Sequence, residues 1–277
     1  MRAASDLQDS SLLTPLSREF AQDLLALMLP AQCAVCAREL TESLTGGLCG
    51  SCWRALEAWN GPVCSRCGLP LAARVTTVDS LCSECRLDRP HFDFARSYGI
   101  YAGKLRRAVL ELKFHRRERL GMRLGRLLLA PWLALQSSHA LPEGWLFLPI
   151  PLYRSRERER GYNQAALLAR GLDRALQEHA GSCRFRLGLR AMVRTRSTAP
   201  QSGLSVQARR DNVRGVFKVI APKRVRDRSV ILVDDVMTTG ATASACAAEL
   251  KRCGAEHVVV LTLARATPQF PDVAVRP

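Results

Sequence analysis

Apolar and polar positions change their rhythm along the chain. Near the N-terminus, Leu16, Phe20, Leu24, Leu27 and Met28 recur at helical spacing and predict a helix with one sticky face. From Phe92 onward, short apolar runs alternate with helical patterns. Ala95 to Tyr101 predicts a strand and Ala102-Gly103 a turn. Lys104 to Phe114 and Glu118 to Leu135 predict helices, the second broken near Pro131. Trp145 to Pro151 predicts a buried strand, Arg154 to Arg160 a charged loop ended by Gly161, and Tyr162 to Ala180 a helix. Val230 to Val233 and Val258 to Leu263 are unbroken β-branched and leucine runs, which suit strands buried on both faces. Ala243 to Arg252 between them predicts a helix. Strands alternating with helices in this way argue an α/β fold built on a doubly wound, mostly parallel sheet.

The length of 277 residues exceeds one average domain and suits a medium domain with a small appendage. We divide it into a tail at 1–30, a small module at 31–90 and the sheet domain at 91–270. A hydrophobic content of 47% supports a genuine core. The net charge of +16 is uneven: nine basic residues face two acids between Lys104 and Arg126, and thirteen face two between Arg184 and Arg228. Such fields attract polyanions, either pyrophosphate compounds or nucleic acid. Asp6, Asp9 and Glu19 interrupt any secretory-signal layout, and no uncharged run reaches the ~18 residues that would span a bilayer. The expectation is a cytoplasmic protein without a membrane span.

Eight of the eleven cysteines form four Cys-x-x-Cys pairs: Cys33/Cys36, Cys49/Cys52, Cys64/Cys67 and Cys82/Cys85. Each pair can grip a metal from a tight knuckle, and two knuckles give the four thiolates that zinc prefers. A reducing compartment argues against four disulfides, and a thioredoxin-like motif would be a single pair. Two structural Zn²⁺ are therefore expected. Spacing leaves open a sequential pairing (first with second, third with fourth) or a cross-braced one. So small a segment lacks area for its own core, so the metals would supply much of its folding energy, and its core is expected to be separate from that of the sheet.

Residues 230–242, Val-Ile-Leu-Val-Asp-Asp-Val-Met-Thr-Thr-Gly-Ala-Thr, carry the most chemistry. Two acids, Asp234 and Asp235, close an apolar strand, where ligands of open α/β sheets bind. Thr238, Thr239, Gly240 and Thr242 then lead into a helix, whose N-terminus holds phosphate with unpaired N–H groups and the positive dipole end. Acids for hydroxyls or Mg²⁺ beside a phosphate cradle describe a sugar-phosphate site. No lysine follows Gly240, so this is not a Walker-type loop. The segment resembles the phosphoribosyl pyrophosphate (PRPP) loop of type I phosphoribosyltransferases. That resemblance implies Asp234 and Asp235 on the ribose hydroxyls, and Thr238, Thr239, Gly240 and Thr242 on the 5′-phosphate.

Three further segments narrow the likeness: Leu112-Lys113-Phe114, Arg160-Gly161-Tyr162-Asn163-Gln164, and Arg194-Thr-Arg196 with Gln201, Leu204, Arg209 and Asn212 to Phe217. Behind four cysteine pairs and before the PRPP loop, they resemble the ComF family, including GntX-type proteins. The likeness implies an N-terminal double zinc ribbon, a type I phosphoribosyltransferase-like sheet domain, PRPP with Mg²⁺ as ligand, and a part in DNA uptake or nucleotide-related metabolism. It further implies that the loop after Ile150 faces pyrophosphate with Arg160 as a contact. Thr195 to Arg210 would be a mobile flap supplying Arg196 and Arg209. Purine-salvage members of the superfamily have an acid where Thr238 stands, and threonine cannot serve as a general base at neutral pH. No catalytic base is therefore assigned. Two functions compete: Mg²⁺-dependent ribosyl transfer, and a non-enzymatic, PRPP-gated factor that contacts single-stranded DNA and other DNA-uptake proteins.

Overall fold

The computed structural model describes residues 32–40, 47–71, 80–142, 144–180, 186–198 and 206–267. The apolar stripe at Leu16 to Met28 lies outside them. Short helices α1 (Gly50–Arg54) and α2 (Ser83–Leu87) follow cysteine knuckles. The sheet domain begins with β1 (Phe94–Ile100), α3 (Gly103–Phe114), α4 (Glu118–Gly125), α5 (Leu129–Ser138), β2 (Leu146–Pro149), α6 (Arg154–Arg160), α7 (Gln164–Ala180) and β3 (Arg186–Leu187). It continues with β4 (Met192–Arg194), α8 (Val206–Val213), β5 (Phe217–Val219), α9 (Pro222–Val225), β6 (Ser229–Met237), α10 (Ala241–Arg252) and β7 (His257–Arg265). Five strands form one parallel sheet in the order β1-β7-β6-β2-β3, and β4 and β5 form a small antiparallel hairpin.

Side chains of a strand alternate between faces, which explains why β6 reads as an unbroken apolar run. Ile231 and Val233 join a core with helices α3, α4, α5 and α7, while Val230 and Leu232 join a second core with α10, β4 and β5. Both faces are therefore covered. Helices α4 and α7 approach closely through two glycines: a Cβ on Gly171 would sit 2.1 Å from the Met122 carbonyl oxygen, and one on Gly125 2.3 Å from that of Leu168.

Three local readings need correction. Arg154–Arg160 is helix α6, not a loop; the exposed charges pair along it, as Arg156 with Glu159 at 3.7 Å, and left-handed Gly161 ends it. The break expected near Pro131 is present but falls one turn before it, in a 3₁₀ turn at Arg126–Leu128 that contains Leu127, the residue whose carbonyl the proline ring opposes. Pro131 itself lies in the first turn of α5, where its missing N–H is not needed. Strand β6 also runs on to Met237, so the acid pair lies within it rather than closing it.

The cysteine module does not have a separate core. Cys33, Val35, Leu48, Cys52 and Leu56 belong to the first core of the sheet, and Cys64, Cys67, Cys82 and Cys85 to the second. The module runs along the edge strand β1, where Ala95 N–H donates to Arg66 O (2.8 Å) and Trp59 N–H to Tyr98 O (2.8 Å). The Tyr98 hydroxyl donates to Leu56 O at 2.7 Å, and Arg123 stacks 4.2 Å from the Trp53 ring. An open strand edge is thus covered, which removes a template for unwanted pairing. Among the described residues no helix is long and apolar enough to cross a membrane.

Candidate functional site

Four fully buried residues of β6 lead to Asp234 and Asp235 at the carboxyl end of the sheet. Asp235 is 4% exposed, and a buried carboxylate needs a partner. Lys113, in the last turn of α3, supplies it: its Nζ lies 3.3 Å from Asp235 Oδ2. Asp234 Oδ1 accepts the Asp235 N–H at 2.8 Å. Burial, then the neighbouring Asp235 charge, pushes the Asp234 carboxyl up to about 7, partly offset by that N–H, Lys113 and Arg160. Burial pulls the Lys113 ammonium down, but Asp235 and Asp234 outweigh it and hold its pKa above the ordinary value.

Asp234, Lys113, Thr238, Gly240 and Thr242 line one cleft of about 230 Å³, together with Tyr101 and Thr262. The loop ends in Gly240, left-handed at φ +81°, where an added Cβ would lie 2.6 Å from Met237 Cε. Thr239 Oγ1 accepts the Ala241 N–H at 3.4 Å, and the 12-residue α10 begins there. Carboxylate, ammonium and a helix N-terminus thus converge on one small volume, a set suited to a polyol that carries phosphate.

Of the expected arginines, Arg160 ends α6 with its guanidinium carbon 5.7 Å from the Phe114 ring, near enough for its charge to act on Asp234. Arg196 follows β4, is exposed, and donates to Arg214 O at 3.3 Å. Arg209 lies on α8, and its side chain is outside the described residues, as are 199–205 of the expected flap. Lys113 and Arg194 figure in the sequence reading only as members of the segments Leu112-Lys113-Phe114 and Arg194-Thr-Arg196, with no site role assigned to either. Arg194 donates to Thr198 Oγ1; burial lowers its pKa, and Asp234 acts against that. A signal for Lys113 existed. It lies one helical turn beyond Val109 on the buried stripe Leu105, Val109, Leu112, where a charge demands a counter-charge.

The cysteines pair sequentially. The sulfurs of Cys33, Cys36, Cys49 and Cys52 lie within 4.8 Å of one another, as do those of Cys64, Cys67, Cys82 and Cys85. Cys36 and Cys49 Sγ are 3.7 Å apart, and Cys67 and Cys82 Sγ 3.6 Å. A zinc tetrahedron with ~2.3 Å bonds has edges of roughly 3.8 Å, so both sets fit the ion. Backbone N–H groups of Cys49 and Cys82 donate to Cys33 Sγ (3.3 Å) and Cys64 Sγ (3.4 Å), the bonds a thiolate needs. The Ser51 hydroxyl, 3.1 Å from Cys49 Sγ, leads in drawing that thiol down to about 6.

The sheet and the cysteine module together define a phosphoribosyltransferase-type fold carrying two four-cysteine zinc sites. The matching family descriptions agree: a double zinc ribbon domain over residues 24–86 and a phosphoribosyl transferase domain over 161–273. DNA utilization protein YhgH of Escherichia coli O6:H1 is 34% identical over 239 residues, covering 86% of this chain and 99% of that protein. Competence protein F of Haemophilus influenzae is 32% identical, with 79% and 91% covered. Competence protein ComFC of Bacillus subtilis is 25% identical, with 70% and 74% covered. The chain belongs to the ComF family.

Proposed function

We propose that this protein binds PRPP with Mg²⁺ in the cleft between Asp234 and the Thr238–Thr242 loop, and that it serves the use of incoming DNA. The observation that supports it best is the convergence of Asp234, Lys113 and the α10 N-terminus on one cleft. Asp234 meets the ribose hydroxyls, with Asp235 buried behind it on Lys113, and the loop takes the 5′-phosphate. Pyrophosphate lies towards Arg160. Only the cysteine clusters gather three or more ligating groups among the described residues, so Mg²⁺ would be held largely by substrate phosphates beside Asp234. The chemistry it supplies there is charge neutralisation of departing pyrophosphate. Positioned so, ribose C1 is open to displacement by an acceptor, with Arg160 stabilising the leaving group. The names of the relatives, which refer to DNA utilization and competence, support the biological setting. Calorimetric titration tests the reading: PRPP with Mg²⁺ should bind the wild type, and Asp234→Asn with Asp235→Asn should abolish binding. A wild type that takes up no PRPP defeats it.

One observation favours a second reading, PRPP-gated binding of single-stranded DNA. Phe114 is 61% exposed beside Arg160, and exposed His115, Arg116 and Arg119 follow it, an aromatic surface among cations. Its affinity for DNA should then fall log-linearly with salt, at a slope near −0.7 for each phosphate neutralised. Arg116→Ala should make that slope shallower, whereas an unchanged slope would discard the surface.

A further inference from the structure

The two cysteine clusters share their chemistry and nearly share their geometry, but they differ in access to solvent. In the first, Cys33 and Cys52 are 2% and 1% exposed, whereas Cys49 is half-buried and Cys36 is exposed. In the second all four cysteines are buried. Each cluster brings two sulfurs from different knuckles close together: Cys36 and Cys49 at 3.7 Å, Cys67 and Cys82 at 3.6 Å. The first of these pairs faces outward. The second is enclosed, with the Arg265 guanidinium donating to Cys67 Sγ at 3.7 Å. Cys67, Cys82 and Cys85 form part of the wall of a groove of about 870 Å³ beside α10, yet none of them exposes more than 6%. Oxidation of cysteine follows thiolate character and access. Zinc holds its cysteine ligands as thiolates, so access is what sets the two clusters apart.

We propose that Cys36 and Cys49 form a site of reversible oxidative modification, at which a peroxide joins them in a disulfide and frees the first zinc ion while the Cys64 cluster stays intact. The Cys36 thiolate attacks one peroxide oxygen, the O–O bond breaks, and the sulfur becomes a sulfenic acid as hydroxide leaves. The Cys49 thiolate then attacks the Cys36 sulfur, the S–O bond breaks, and a second hydroxide departs as the disulfide forms. Both hydroxides take protons from solvent and become water, so the sulfurs together give two electrons to the peroxide. The two sulfurs close from 3.7 Å to the ~2.05 Å of a disulfide. Only Cys33 and Cys52 remain as ligands, too few for a structural zinc site. Both share a core with Leu105, Val109 and Leu112 of α3, so the modification loosens the helix that carries Lys113. The site itself does not depend on the PRPP reading.

The test treats the full wild-type chain, loaded with two zinc ions, with hydrogen peroxide. Zinc release, read with a colorimetric chelator, should show a fast phase of one ion per chain, at least ~10-fold faster than loss of the second. Peptide mapping after alkylation of free thiols should find Cys36 joined to Cys49 in that phase. Dithiothreitol with added Zn²⁺ should restore two ions. Cys36→His keeps a zinc ligand but cannot form the disulfide, so this variant should hold two ions and lose the fast phase. Equal rates for both ions, no release, or a fast phase that persists in zinc-replete Cys36→His overturns the proposal. If that variant fails to load, the wild type decides alone: a fast phase without the Cys36–Cys49 bond overturns it as well.

Discussion

Lys113 and Asp235 pair at 3.3 Å in a largely buried place where an unmatched charge is costly, and the Lys113 charge acts on Asp234 beside them. The raised pKa of Asp234 means that the folded chain holds this proton more tightly than the unfolded chain, where an aspartate titrates near ~3.9. The stability from that proton is fully present below the unfolded value and is lost as pH rises through about 7. Ribose hydroxyls donate to the ionised form, so PRPP affinity should rise with pH through the same window, by at most about tenfold per unit. Removing the nearby cation in Lys113→Met should move the midpoint upward, and Asp234→Asn should flatten the profile. Titrations from pH 5.5 to 8.5 would show this, and a profile identical in all three proteins would refute it. The acids and the phosphate loop were legible in the sequence because they are contiguous. The pairing of Lys113 with them was not, because α3 brings it from more than a hundred residues away. The segment Leu112-Lys113-Phe114 marked the residue, and its place on an apolar stripe hinted at a counter-charge, but neither named the partner.

Elements carry a different kind of information. The strands β6 and β7 announced themselves through uninterrupted apolar runs, since burial on both faces leaves no polar position to confuse the pattern. Helix α6 hid for the opposite reason: none of its residues is buried, so it has no apolar stripe, and Arg/Glu alternation reads as a solvated loop. Gly171 was equally silent within α7. Replacing it by alanine would gain up to about 1 kcal/mol of helix propensity. The new methyl would meet the Met122 carbonyl oxygen at 2.1 Å, backbone that cannot rotate away. Overpacking of this kind costs ~1–3 kcal/mol, and with backbone as the obstacle the upper end applies, so Gly171→Ala should be destabilised by roughly 2 kcal/mol net. A urea midpoint equal to or above that of the wild type would show that α4 and α7 can separate without loss.

At the scale of the whole molecule, composition and cysteine spacing foretold two metal sites but not where they sit. They predicted a module that could unfold by itself, because a sequence does not show which surfaces dock. In the fold each cluster enters a different core of the sheet, the first alongside Leu120, Leu124 and Val233, the second alongside Val230, Leu232 and Val260. Removing the metals would untie the knuckles inside both cores and leave thiols that share protons there, with the binding free energy of the ions lost from folding. Chelation should therefore lower the melting temperature of the entire chain in one cooperative step, with far- and near-ultraviolet dichroism changing together. The two clusters should not be equal. All four cysteines of the Cys64 set are buried, whereas Cys36 of the first set is exposed, so Cys64→Ser should cost more stability than Cys33→Ser. Metal analysis of the wild type should give two zinc ions per chain. A chelated protein whose sheet melts at the original temperature, after an earlier and separate loss of the ribbon, would show that docking adds nothing and would restore the picture of two independent cores.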